Sequence, residues 1–125
     1  MLVAYSEMFR FENLEIWKLA SEYAKNCYLL ANKFPTVEKF SLSDQLRRAS
    51  ISISNNIVEG SAFGPIKFRS YLDISIGSAL ETVNILSFAC QVGYVEDKEK
   101  EEMYASAEML IKKISSFKKS LGPGH

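Results

Sequence analysis

The stretch SDQLRRASISISNNIVEG, residues 43–60, decides the fold, because its middle supports two opposed readings. Ile51-Ser52-Ile53-Ser54 alternates apolar and polar residues like a half-buried strand. Over the longer window, Leu46, Ala49, Ile53, Ile57 and Gly60 recur at steps of three and four, which is the period of one helix face. A rhythm sustained over so long a run outlasts an ordinary strand, so the helical reading is preferred. The β-branched isoleucines are indifferent helix formers and are the weak point of that reading. Ser43 stands as the candidate N-cap with Asp44 beside it, and Gly60 as the candidate residue just past the helix.

The same rhythm appears on both sides. Upstream, Asn13 is a candidate N-cap, Glu15 follows in the first turn, and Ile16, Ala20, Tyr23, Cys27, Leu30 and Phe34 form a stripe that Pro35 ends. Downstream, Gly64-Pro65 punctuates the chain before a third helical segment that Gly93 stops. A fourth stripe follows: Met103, Ala107, Leu110, Ile114, Phe117 and Leu121. Its acids (Glu96, Asp97, Glu99, Glu101, Glu102) gather at the start and its lysines (Lys112, Lys113, Lys118, Lys119) at the end, which complements the helix dipole. The expected helices span about 13–34, 43–60, 66–92 and 96–121. Short connections make neighbours antiparallel, so the expectation is an all-α, up-down-up-down four-helix bundle forming one domain over 1–125.

Composition agrees with a packed domain: 47% of the 125 residues are hydrophobic and 24% charged. Fifteen basic and fifteen acidic residues cancel, so a polyanion or membrane surface would have to be met by a local patch. Cys27 and Cys90 are far apart, form no CxxC, and read as small buried hydrophobes of a reducing compartment. Residues 1–8 lack the basic and apolar regions of a signal peptide, and no apolar run reaches the roughly 20 residues of a membrane span. A cytoplasmic protein with no membrane partner is expected.

Chemistry is sought with little return. The single histidine is the terminal His125, which removes HExxH zinc sites and His-assisted nucleophiles. No glycine-rich loop has phosphate- or dinucleotide-binding spacing, and Ser115-x-x-Lys118 and Ser116-x-x-Lys119 lack the companion motifs of a Ser-Lys enzyme. No cofactor, metal or catalytic residue is expected. One polar constellation stands out: Gln45, Arg48, Ser52, Asn55 or Asn56, and Glu59 on the second helix, opposite Ser78 and Glu81 on the third. A hairpin about residues 61–65 predicts an Arg48–Glu81 ion pair or hydrogen-bonded network. An acid–base site with Glu59 or Glu81 is the sharper reading, and a pair that sets helix register or subunit geometry the preferred one.

The apolar surface exceeds what one bundle needs. Trp17, Ala24, Tyr28 and Ala31 widen the first helix's arc to roughly 180°, against the roughly 100° that a core requires. Between Ser70 and Val95 only Asp73 and Glu81 are charged, and Leu80, Ile85 and Phe88 lie off the main stripe. Self-association through Trp17, Ala24, Tyr28, Leu80, Ile85 and Phe88 is the expectation.

Phe11-Glu12-x-Leu14-x-Ile16-Trp17, Phe34-Pro35, Gln45-Leu46-Arg47-Arg48-Ala49-Ser50-Ile51-Ser52-Ile53, Asn56-Ile57-Val58-Glu59-Gly60, Gly77-Ser78-Ala79-Leu80-Glu81 and Gly93-Tyr94-Val95 form a distinctive succession. From about Phe9 to Leu121 the chain resembles the bacterial four-helix bundle family first noticed as reading frames inside 23S ribosomal RNA intervening sequences. It is also similar to the accessory variability proteins of diversity-generating retroelements. The resemblance implies a barrel-like homopentamer without known enzymatic activity. The retroelement relatives imply a rival role, nucleic-acid binding through basic surfaces, for which Arg47, Lys67, Arg69, Lys112, Lys113, Lys118 and Lys119 are the candidates. The chain departs from that pattern in its zero net charge and in Phe63, where relatives often carry arginine. A homo-oligomeric scaffold binding a protein partner is therefore preferred to a nucleic-acid binder.

Overall fold

The computed structural model describes residues 9–122. The readings made of residues 1–8 and of His125 lie outside the described residues. Four helices run up-down-up-down: α1 (Glu15–Ala31), α2 (Leu42–Gly60), α3 (Pro65–Gln91) and α4 (Asp97–Ser120). Each packs on the next, and α4 closes the bundle against α1. Short 3-10 turns occupy Arg10–Asn13 and Thr36–Glu38, and no strand occurs among the described residues.

Residues 51–54 are helical, and burial shows why. On a strand Ile51 and Ile53 would share one face; on a helix they point about 200° apart. Ile53 is 0% exposed and Ile51 37% exposed. Ser54 is buried beside Ile53, and its hydroxyl donates back to the Ile51 carbonyl at 3.2 Å. The four-residue alternation was a coincidence of composition, while the longer period tracked the core. The expected stripes line that core: Ile16, Ala20, Tyr23, Cys27, Leu30 and Phe34 are buried, as are Met103, Ala107, Leu110 and Ile114. Phe117 and Leu121 pack against the core without being sealed in it.

Several helix ends differ from expectation. Asn13 belongs to the 3-10 turn; the N-cap of α1 is Leu14, with no side-chain cap. Phe11 folds edge-on against Trp17 at 5.2 Å, an aromatic contact that spans this entry to α1. α1 ends at Ala31, before Phe34, because the chain tightens into i→i+3 bonds from Lys33 to Leu30 and from Phe34 to Ala31. Phe34 stays buried by packing on Tyr94, 5.6 Å between ring centres. Ser43 is not the cap of α2, which begins at Leu42 and buries Ser43 in its first turn. The carboxylate of Glu38 serves there instead, accepting from Ser41 Oγ at 2.7 Å and from the Leu42 N–H at 3.4 Å. Glu38 also accepts from Tyr94 Oη at 2.9 Å, tying the α1–α2 loop to the α3–α4 loop. The Ser41 and Tyr94 hydrogen bonds hold its carboxyl below the ordinary range.

Pro65 opens α3 at the first helical position, as its ring geometry favours. Gly93, at φ +86°, closes α3 with the Tyr94 N–H on the Ala89 carbonyl and the Gly93 N–H on the Cys90 carbonyl, a Schellman arrangement. α4 opens with a reciprocal capping box between Glu96 and Glu99.

Gly60 has a different role from the one its position suggested. It is the last residue of α2 rather than a left-handed residue beyond it. A Cβ there would stand 2.7 Å from Tyr71 Cβ and 2.8 Å from Phe68 Cδ1. Its value is close approach of α2 to α3. Across the core, Tyr23 Oη and Thr82 Oγ1 share a buried hydrogen bond of 2.7 Å that joins α1 to α3. The Ser75 hydroxyl donates to the Ile53 carbonyl at 2.8 Å, a second buried tie. Gly60→Ala is expected to lower unfolding free energy by about 1–3 kcal/mol, because Tyr71 Cβ is fixed to the backbone and cannot swing away. Urea denaturation followed by circular dichroism checks this.

Candidate functional site

The polar stripe of α2 divides into two parts. Ser52 faces α3, its Oγ 2.9 Å from Ser78 Oγ, and Asn56, one turn on, turns back within α2, its Nδ2 donating to the Ser52 carbonyl at 2.7 Å and approaching Ser52 Oγ at 3.1 Å. Gln45, Arg48 and Glu59 are exposed. The expected Arg48–Glu81 pair does not form. Arg48 reaches Asp44 on its own helix at 3.7 Å, and Glu81 is exposed on α3. The cause is rotation: Arg48 and Glu81 sit at the outer margins of the facing stripes, where water solvates a charge as well as a partner would. The contact between the two helices is carried by the hydroxyls of Ser52 and Ser78 instead.

Nucleophilic side chains are absorbed by packing. Burial pushes the Cys27 thiol up to about 12, and burial also raises Tyr23. Cys90 Sγ donates to Asp97 Oδ1 at 3.2 Å, and that bond raises its thiol as well. Lys118, the lysine of the Ser115-x-x-Lys118 match, pairs with Asp73 at 2.5 Å. No group of three His, Cys, Asp or Glu side chains placed to hold a metal occurs among the described residues. Among them, too, no helix is long and apolar enough to cross a membrane.

The basic candidates fall at three places. Arg47 stands at the start of α2, donating to Asn32 Oδ1 at 2.9 Å and lying over the Tyr28 ring. Lys67, Arg69 and Lys118 gather with Lys119 at the opposite end, where α3 begins and α4 ends. There Lys67 lies 4.3 Å from the Phe63 ring centre, and Arg69 bonds to the Gly122 carbonyl. Along α4, Lys112 approaches Glu108 at 3.9 Å and Lys113 approaches Glu15 at 3.6 Å. Much of this basic charge is matched locally.

The interface candidates also separate. Ala24 and Ile85, 3% and 5% exposed, are covered within the chain and present nothing to a partner. Trp17 is partly buried, packed against the core. Tyr28, Leu80 and Phe88 are exposed, the last two at 55% and 51%. Periodicity missed Ile66, Ile74 and Val92, which are exposed on the same side of α3 as Phe88. Beside this face an open groove of ≈ 440 Å³ between α3 and α4 is lined largely by apolar groups of Leu80, Val83, Tyr104 and Ile111. In the middle of the face lies Gly77, where an added Cβ would meet nothing within 4 Å. A glycine inside an exposed helix costs about 1 kcal/mol relative to alanine, and nothing within the chain requires it. Its sequence signal was present, a glycine deep inside a long periodic segment.

The class defined by these features is an all-α four-helix bundle with an apolar outer helix face. The chain belongs to the 23S rRNA-intervening sequence protein family, whose model matches residues 12–116. It is similar in fold to a crystallised protein of unknown function from the S23 ribosomal protein family of Bacteroides thetaiotaomicron VPI-5482. That likeness has a TM-score of 0.76 at 24% identity, over 83% of this chain and 95% of the other. No curated protein matches.

Arg48→Met is expected to change stability by less than about 0.5 kcal/mol, as for an exposed pair. Ser78→Ala, which removes a half-buried hydrogen bond, is expected to cost about 1 kcal/mol. Thermal unfolding of the two variants side by side distinguishes a register set by the serine contact from one set by charge.

Proposed function

We propose that this protein is a non-catalytic scaffold that assembles with copies of itself, a pentamer being the assembly the family resemblance implies, and offers the assembled surface to a protein partner in the cytoplasm. The observation that carries this reading is the exposed side of α3, where Ile66, Ile74, Leu80, Phe88 and Val92 stand out with only Asp73 and Glu81 as charges between Ser70 and Val95. Contiguous apolar area of this kind on a soluble protein marks interaction sites. The free cysteines, one sealed in the core, suit a reducing compartment. The acids and thiols that could carry chemistry are solvated, capped or buried, which supports a binding role over a catalytic one.

A second reading, binding of structured RNA, rests on the convergence of Lys67, Arg69, Lys118 and Lys119 at one end of the bundle. Ring assembly would multiply that patch, and counterion release would make binding steeply salt-dependent. The local pairing of Lys118 with Asp73 lowers its charge and favours the scaffold.

Light scattering on the purified chain at tens of micromolar tests the first reading. A mass several times that of one chain is expected, and a monomer refutes it. Retention of structured RNA at low salt, lost on raising salt and in Lys118→Glu/Lys119→Glu, is the outcome that would favour the second reading.

A further inference from the structure

We propose that the turn between α1 and α2 is a docking point for a different protein, a role that rests on the partner binding put forward above. Val37 and Phe40 enter an apolar pocket of that protein, and Lys39 meets a carboxylate on the pocket's rim.

The turn reverses the ordinary segregation of side chains. Thr36–Glu38 is a 3-10 turn, continued by backbone hydrogen bonds from Lys39 to Thr36 at 3.0 Å and from Ser41 to Glu38 at 2.9 Å. At three residues per turn, Val37 and Phe40 share one side, and Glu38 and Ser41 share another. The charged side is the inner one: the Glu38 carboxylate accepts from Ser41 Oγ and from Tyr94 Oη of the α3–α4 loop. The apolar side is the outer one. Val37 is 83% exposed and Phe40 87%, while no other large apolar side chain among the described residues exceeds 55%.

A lone apolar side chain on a surface loop requires no explanation. Here two of them project from one side of a turn that is held firmly. Phe34, just before the turn, is buried against Tyr94, and the Leu42 N–H just after it bonds to Glu38. Neither Val37 nor Phe40 belongs to the core or packs against it, so no contact within the bundle accounts for their placement. An apolar projection fixed in advance loses little freedom when a partner covers it, and that is the property of an interface anchor.

Shape and charge select the occupant. A convex pair of side chains requires a concave apolar site. Lys39 lies 5.4 Å from the Phe40 ring centre and approaches no carboxylate within 4 Å among the described residues. Lys33, by contrast, is engaged by Glu99 at 2.7 Å. The charge that accompanies the projecting pair is therefore positive, and its complement is an acid beside the pocket. A bilayer fits less well. Asp44, Glu96, Asp97 and Glu101 stand at this same end of the bundle, where an anionic membrane surface would repel them.

Photo-crosslinking of the full chain in the cells that make it tests the proposal, with Phe40→p-benzoylphenylalanine and, for comparison, Leu80→p-benzoylphenylalanine on the outer face of α3. The expected result is an adduct from position 40 to a different protein, mapped to an apolar pocket with Asp or Glu at its rim. With that protein purified, Phe40→Ser is expected to weaken binding at least roughly tenfold and to leave thermal unfolding unchanged. Lys39→Glu is expected to weaken binding as well, and exchange of the partner's rim acid for lysine to restore it. Adducts from position 40 to lipid alone, or only to further copies of this chain, overturn the proposal, as does binding indifferent to Phe40→Ser. A different protein caught from position 80 and none from position 40 overturns it and leaves partner binding standing. No different protein from either position overturns both.

Discussion

The closeness of α2 to α3 is the constraint on which the rest of the bundle depends. Along this seam the chain places Gly60, Ser75 and Ser78 where larger side chains would separate the helices. The Ser75 hydroxyl can therefore reach the Ile53 carbonyl at 2.8 Å, and Ser52 can reach Ser78 at 2.9 Å. Close approach of backbones strengthens dispersion along the whole line of contact, because each lost fraction of an ångström forfeits part of a shallow well. It also sets the rotation of both helices. With Ile53 and Ile57 turned fully inward, Ile51 must face outward. With Ser75, Ala79 and Leu86 inward on α3, its opposite side is left to Ile66, Ile74 and Phe88. The exposed apolar face is thus the geometric counterpart of the tight seam.

The remaining helices are tied chiefly at the ends. At one end Glu38, Tyr94 and Phe34 join the α1–α2 and α3–α4 loops, and Lys33 meets Glu99 at 2.7 Å. At the other, Phe68 packs edge-on to Phe117 at 5.4 Å, with Arg69 and Lys118 bridging α3 to the close of α4. Exposed ion pairs of this kind add little stability singly; their effect is to fix how α4 sits. Between the two ends, the Tyr23–Thr82 hydrogen bond satisfies two buried hydroxyls that could not have been left unpaired at low cost.

For function, the consequence is a division of labour across the surface. Most of the basic candidates are drawn into intramolecular pairs or onto aromatic rings, whereas the apolar residues of α3 and the adjoining groove stand exposed. A scaffold that works by burying surface against other chains accords with that division better than one that works by charge.

How much of this was legible in the residues depended on the range over which each feature acts. The helices were legible, even through Ile51–Ser54, because burial acts over many turns and its period overrides a four-residue alternation. Pro65 and Gly93 were legible because their restrictions are local to the backbone. Asn13 and Ser43 misled as caps. A cap depends on where the chain enters, which Phe11 on Trp17 and the reach of Glu38 from four residues before α2 influence here. Arg48 and Glu81 shared a level in the hairpin but not a side, since small rotations of each helix separate the ends of long side chains. Ala24 and Ile85 looked superfluous to the core and were buried in it. By itself the sequence determined the helices, their order and the main stripe sealed between them, because those follow from periodicity along one chain. Only the tertiary structure decided which face each helix turns to water, because that depends on the distance and rotation at which two helices settle.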